Sequence, residues 1–317
     1  ATNMDATNNT FGGLLPTAMT IAQLATLESK LQHKVDNPAL GLITLGINNS
    51  PQLINGPYTI AAINEDNFTS SGTPVDLSSD IFDVDGPDTG MAVISVDDTN
   101  GTWEYSTNNG GAWTAFGAVS NTSAVLLTSD TGNNRIRFVP DADFFGTASI
   151  TLRGWDQVAG SGNNGDTGVD VSVNGTGTGF SANTETATIT VNPVNDAPTF
   201  TASNPAAANE DSGLQTVSSW AGGFVAGPAN ESGQAVAAYI VSNISNPGLF
   251  AVAPAVDASG NLTYTPAADA FGTSTFDVQV QDDGGTANSG VDLSTVQQFT
   301  ITINPVNDAP TFTASNP

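Results

Sequence analysis

Cysteine is absent from this 317-residue chain, histidine occurs once, and basic side chains number five. Without cysteine there is no disulfide framework, thiolate nucleophile, zinc-finger site or iron–sulfur ligation. Any histidine chemistry would rest on His33 alone, a solvated side chain between Lys30 and Lys34. The 31 acidic residues give a formal net charge of −26. That charge repels phosphate and anionic lipid, so nucleic acid and membrane surfaces are excluded as partners of the bare protein. Divalent cations are the natural counterpart. No stretch approaches the roughly 18 to 20 consecutive apolar residues of a membrane span. Residues 1–10 lack the basic-then-apolar form of a secretion signal, and the expectation is a soluble chain. Hydrophobic residues make up 38% and recur in short alternating runs, which argues against disorder. Abundant Asp, Asn, Thr, Ser and Gly with almost no Lys suit an extracellular β-protein from a salty medium.

The chain repeats itself. Residues 188–205, TITVNPVNDAPTFTASNP, return at 300–317 with one change, Val191 to Ile303, and Pro198 to Pro310 sets a period of 112 residues. A weaker copy, Asn48-Asn49-Ser50-Pro51, aligns with Asn195-Asp196-Ala197-Pro198. Each is followed by the same tripeptide, Asn64-Glu65-Asp66 and Asn209-Glu210-Asp211. The segment from Arg135 aligns without gaps with that from Asn261, matching Pro140 with Pro266, Asp143 with Asp269, Phe145-Gly146-Thr147 with Phe271-Gly272-Thr273, and Asp156 with Asp282. The extra length of the first unit falls in Gly/Asn/Ser-rich segments, as insertions in loops do. One of these, residues 160–179, reads as a flexible loop.

Period-two alternation in 135–139, 148–152, 187–191, 275–280 and 299–303 predicts strands, and the Asn/Gly/Asp clusters between them predict turns. The fold class expected is all-β, with tandem Ig/cadherin-like β-sandwiches joined end to end after a short N-terminal helical segment. The domains are residues 1–47 (helix plus strand-like segment, the end of a preceding unit or a docking element), 48–194, 195–306, and 307–317 as connector to a further unit. The helix is read over residues 17–35, where Ile21, Leu24, Leu27, Leu31 and Val35 share one face and Pro38 follows. Pro193 and Pro198 cannot continue a strand ladder, so NPVNDAP is a short, stiff connector.

The NPVNDAPTF connector, the NED tripeptide and the P-x-x-D-x-F-G-T segment closely resemble the cadherin-like tandem repeats of giant bacterial adhesins and surface proteins. The segment DTNGTWEYSTNNGGAWTAFG, residues 98–117, is similar to one common in such arrays. The resemblance covers residues 48–317 and implies extracellular sandwiches whose junctions are ordered by Ca²⁺. It places Glu65, Asp66 and Asp156 of the first unit, Asn195 and Asp196 of the connector, and Asp282 and Asp283 of the second unit around the middle junction. Glu210, Asn307 and Asp308 would serve a further junction in the same way. Calcium suits such residues on independent grounds, since it takes 6 to 8 oxygen ligands in irregular geometry. Asn and Asp are also ordinary turn formers, and a purely rigid connector is the alternative. The Asp83–Asp88 loop lacks EF-hand spacing and reads as a surface turn.

Three functions follow as expectations. The preferred one is a non-enzymatic structural segment of a secreted bacterial cell-surface adhesin or fibre, its partners being neighbouring repeats, with any cell-surface or glycan receptor engaged through other domains. The second is a subunit of an extracellular filament, assembled from copies of itself by strand or terminal-segment exchange. The third is a carbohydrate-binding module resting on Trp103, Tyr105 and Trp113, for which core or cross-strand packing is the plainer account. Arg135, Arg137 and Arg153 are expected in cross-strand ion pairs.

Overall fold

The computed structural model describes residues 48–313 apart from 85, 87, 88 and 159, together with the backbone of two short pairing segments, β1 (Met4–Asp5) and β2 (Thr10–Phe11). The helix expected over 17–35, the strand-like segment ending at 47, His33 and much of the Asp83–Asp88 loop lie outside the described residues.

In the first unit a five-stranded sheet runs in the order β10 (Val125–Thr128), β7 (Gly90–Val96), β12 (Gly146–Trp155), β13 (Glu185–Asn192), β4 (Ile63–Asn64). Facing it is a four-stranded sheet, β5 (Thr73–Pro74), β11 (Arg135–Pro140), β8 (Gly101–Ser106), β9 (Thr114–Ala115), and a small pair, β3 (Gln52–Leu53) with β6 (Ile81–Phe82), completes the unit. The second unit has one sheet in the order β15 (Ala208–Asn209), β22 (Gln297–Asn304), β21 (Gly272–Asp282), β18 (Val236–Ser242). Its other strands are β16 (Gln215–Val217), β20 (Leu262–Pro266) and β19 (Phe250–Val256), with β14 (Thr199–Thr201) paired to β17 (Gly222–Val225). Both units are β-sandwiches, because alternation puts one face of each strand inward. Ile136 and Phe138 of β11 meet Ala187, Ile189 and Val191 of β13 in one core, and Tyr264, Phe276, Phe299 and Ile301 anchor the other.

Two of the three aromatic candidates for sugar stacking, Trp103 and Tyr105, are core residues, whereas Trp113 is half-buried at the surface. Trp103 is fully buried with its ring centroid 5.3 Å from that of Phe138, and Tyr105 packs at 5.0 Å on Phe116. Trp113 is covered by the Arg137 guanidinium, 4.2 Å from its centroid. Among the described residues, Arg137 is the one arginine of the three in an ion pair, 2.7 Å to Glu104 across the β11–β8 ladder. Arg135 instead binds Asn109 Oδ1 and two carbonyls, and Arg153 binds Asn121 Oδ1 and the carbonyls of Ser181 and Ala182.

The segment 160–179 departs from the flexible-loop expectation. Met91-Ala92-Val93-Ile94 is a continuous apolar run, so β7 is hydrophobic on both faces and needs a second cover. Val171 and Phe180 supply it, forming a separate cluster with Ala92, Ile94, Leu126 and Trp155 on the outside of the sheet. Trp155 Nε1 donates to Ser161 Oγ at 2.8 Å, and Ala124 bridges Val169. Val171→Ala should therefore destabilise the first unit by roughly 1–2 kcal/mol and admit protease between 160 and 179. Urea unfolding with limited proteolysis checks both, and unchanged proteolysis would mean the segment is held by other contacts.

Candidate metal centre at the domain junction

Two short strands decide where the carboxylates gather. β4 runs parallel to β13, pairing Ile63 with Val191 and Asn64 with Asn192, so the chain leaves both strands at the same edge of the sheet. Glu65-Asp66 after one strand and the connector after the other therefore become neighbours. The Glu65 N–H donates to Asn192 O at 2.9 Å, and Glu65 Oε1 accepts from the N–H of Val194. The second unit repeats this: β15 is parallel to β22, the Glu210 N–H donates to Asn304 O at 3.0 Å, and Glu210 Oε1 accepts from Val306 at 2.7 Å. β12 starts at this edge too, since Gly146 pairs with Val191. The turn before it brings in Asp143.

Asp66, Asp143 and Asp196 consequently each present an oxygen within 4.8 Å of the others. Two oxygens on opposite sides of one Ca²⁺ lie about 5 Å apart at metal–oxygen distances of 2.3–2.6 Å. Asp66 and Asp143 both occupy the left-handed region, at φ 60° and 59°, which Asp tolerates better than most residues. The Asp143 N–H donates to Asp66 Oδ1 at 3.2 Å. Asp211, Asp269 and Asp308 form the same triad at the far end of the second unit, with Asp211 and Asp269 at φ 59° and 55°.

The second unit closes the middle junction from the other side. Asn195 Nδ2 donates to both oxygens of buried Asp282 at 3.1 and 3.3 Å and to Val291 O at 2.8 Å. Glu231, on the 3₁₀ turn Ala229–Glu231, accepts the Asp196 N–H at 2.9 Å, while Asn230 Nδ2 reaches back to Glu65 Oε2 at 3.3 Å. Asn64 Nδ2 donates to Asn288 O and Asn288 Nδ2 to Pro193 O. Four buried oxygens here have no hydrogen-bond partner: Asn195 Oδ1, Asp196 Oδ2, Glu231 Oε2 and Gln234 Oε1. Buried polar atoms are ordinarily satisfied, and acceptors left without donors fit a cation by the chemistry of the donor set. Glycine opens the space: a Cβ on Gly284 would stand 1.8 Å from Asn195 Oδ1, and one on Gly227 1.8 Å from Glu231 Oε2.

Glu65, Asp66, Asp143, Asp196, Glu231 and Asp282 put six carboxylates around this junction, more than one divalent ion neutralises. The three arginines are engaged elsewhere in the first unit, so no described basic side chain balances them. Desolvation raises the carboxyl pKa of Glu65, Asp196 and Glu231, reinforced for Asp196 by Asp66 and Asp143 and for Glu231 by Asp196, Asp282 and Glu65.

The structure thus brings Glu65, Asp66, Asn195, Asp196 and Asp282 together, and places Glu210 and Asp308 in the equivalent position at the end of the second unit. Asn307 there is exposed, with Nδ2 donating to Asp308 O. Asp156 is not at the middle junction. It sits at the opposite end of β12 from Asp143, where Asn48 Nδ2 donates to Asp156 Oδ2 at 2.9 Å, the counterpart of Asn195 on Asp282. Asp283 is exposed and accepts the Ala235 N–H at 2.8 Å, a turn contact. Asp143, Asp211, Asp269, Glu231 and Gln234 were not among the sequence candidates. The repeat alignment already matched Asp143 with Asp269, which was the available signal for that pair.

Residues 195–294, most of the second sandwich, match a family model described as Bacterial Ig domain. No curated protein matches the chain. Among solved structures, human Protocadherin-24 EC1-2 is 12% identical, with a TM-score of 0.41, covering 82% of this chain and 99% of that one. Mouse Cadherin-23 EC22-24 is also 12% identical, with a TM-score of 0.39 and coverage of 82% and 68%. Human CDH23 EC21-23 is 14% identical, with a TM-score of 0.38 and coverage of 81% and 69%. Among the described residues no helix is long and apolar enough to cross a membrane. Residues 195–294 are thus similar to a bacterial Ig domain, and the first unit repeats the same β-sandwich architecture, with a parallel short strand beside its last long strand.

Proposed function

We propose that this chain is a structural segment of a bacterial cell-surface adhesin or fibre, in which Ca²⁺ at the interdomain junction removes hinge freedom and holds successive sandwiches in line. The observation that carries this reading is the middle junction itself, with six carboxylates, four partnerless buried oxygens and, among the described residues, no cationic side chain. Ligands would come from both units and from the connector: Asp66, Asp143 and Asp196 on one side, and Asn195, Asp196, Glu231 and Asp282 on the other. A bound ion would tie the Glu65 loop to the 229–231 turn. Without it, like charges face each other across a flexible joint. Each unit has its own core, so loss of the ion loosens the joint more than it unfolds the sandwiches.

Small-angle scattering in chelator and in millimolar Ca²⁺ tests this reading. The expected result is a narrower distribution of interdomain angles with Ca²⁺, lost in Asp196→Ala. An unchanged profile would overturn the stiffening.

A further inference from the structure

Away from the junction, an open cleft of about 740 Å³ lies between the 53–57 loop and the start of β13, lined among others by Leu53, Ile54, Pro57, Arg153, Asn183 and Thr184. Arg153 is only 9% exposed and has no carboxylate partner among the described residues, although this chain carries 31 acids and 5 bases. Its Nε donates to Asn121 Oδ1 at 3.0 Å, and Nη1 donates to Ser181 O at 3.0 Å and Ala182 O at 2.8 Å. A guanidinium has five N–H donors in a fixed fork, and those on Nη2 take no part in these bonds. Glu185 also lines the cleft; its Oε1 accepts the Tyr58 N–H, and burial raises its carboxyl pKa, which favours the neutral acid there.

The second repeat shows what the fold alone requires at this position. Gln279 aligns with Arg153, and its Nε2 donates to Ser294 O at 2.8 Å, as Arg153 donates to Ser181 O. Ser294 is the counterpart of Ser181: each hydroxyl accepts a β-strand N–H, from Val280 and Gly154, respectively. An amide therefore suffices to hold this carbonyl. The positive charge and the remaining guanidinium donors of Arg153 are surplus to that task, and burying an unpaired cation is costly.

We propose that this cleft of the first unit binds the carboxylate of an acidic sugar of the hexuronate class. A free fork nitrogen on a rigidly held guanidinium recognises a carboxylate oxygen by a charge-assisted hydrogen bond. Thr184, Thr186 and the Asn183 amide offer partners for sugar hydroxyls, and Leu53, Ile54 and Pro57 offer an apolar wall for a ring face. The overall charge of −26 disfavours anions at long range. Recognition is consequently local and weak, suited to a repeated polymer of such sugars.

The test is a titration of the full chain with sodium glucuronate, and separately with glucose, in chelator so that calcium–uronate chemistry plays no part. It is followed by ¹⁵N NMR of the amides of residues 182–186. Glucuronate should shift these signals saturably and glucose should not. Arg153→Gln, which installs the residue of the second repeat, should melt like the parent and bind glucuronate about tenfold more weakly. If Arg153→Gln misfolds, Thr184→Asp places a repelling charge at the rim without touching the bonds of Arg153 and should weaken binding similarly. No saturable shift, equal shifts with glucose, or undiminished binding in both variants overturns the proposal.

Discussion

Calcium at a hundredfold excess over its dissociation constant should raise the unfolding midpoint on the order of 10 °C, and Asp196→Asn should abolish most of that rise while making the chelated protein more stable than its parent. The first figure follows from linkage: one site at that saturation adds about 2.7 kcal/mol, which for a domain of roughly 100 residues moves the midpoint by some degrees per kcal/mol. The second follows from the environment of Asp196, whose carboxyl is penalised by desolvation and by Asp66 and Asp143. An amide of the same shape keeps the volume and the backbone bond to Glu231 and removes the repelled charge. The opposite signs in the two buffers separate a ligand from a structural residue. Asp156→Asn is the control, because its carboxylate is held by Asn48 and the Val158 N–H away from the middle junction; it should leave the calcium response of that junction unchanged. Paired calorimetric scans of the three proteins with and without Ca²⁺ decide the matter. If Asp196→Asn is destabilised in chelator and keeps the full calcium response, the connector aspartate is a turn former only.

The two sandwiches were legible because alternation and repetition are properties of the chain alone. β11, β13, β20 and β22 bury every second residue, and the ungapped match from Arg135 to Asn261 kept the same register in both units. The connector and NED acids were legible for the same reason. What sequence spacing could not supply was the end of the strand at which a residue emerges. Asp143 and Asp156 stand 13 positions apart on either side of β12, so the strand separates them by its whole length and sends one to each end of the unit. A resemblance naming only the second acid therefore misplaced it. Glu231 and Gln234 were hidden differently: they lie on a 3₁₀ turn and the residues after it that have no counterpart in the connector or NED motifs, and only folding brings them over Asn195. The loop at 160–179 was misjudged because composition outweighed two isolated apolar residues, Val171 and Phe180, whose partners lie on β7, β10 and β12.

The pH dependence of stability should change sign with calcium. In chelator, Glu65, Asp196 and Glu231 have folded-state pKa values raised chiefly by desolvation. The folded protein therefore binds more protons than the unfolded chain between the ordinary carboxylate range and those raised values. Stability in that window falls as pH rises, so acidifying the calcium-free protein from neutrality toward pH 5 should lift its midpoint. Asp76, Asp97, Asp130, Asp170 and Asp257 act in the other direction. Hydrogen bonds from Ser78, Thr99, Asn133, Ser172 and Asn261 hold their pKa values down, so their stabilisation is present above the unfolded carboxylate value and is lost as pH falls further. The chelated protein should accordingly be most stable in mild acid. With Ca²⁺ bound, the same junction carboxylates must release protons to coordinate, and acidification over the same window should lower the midpoint. Midpoints measured from pH 7.5 to 4 in both buffers test this. Parallel curves would show that proton and calcium do not compete for the same oxygens, and would remove the junction carboxylates from the metal site.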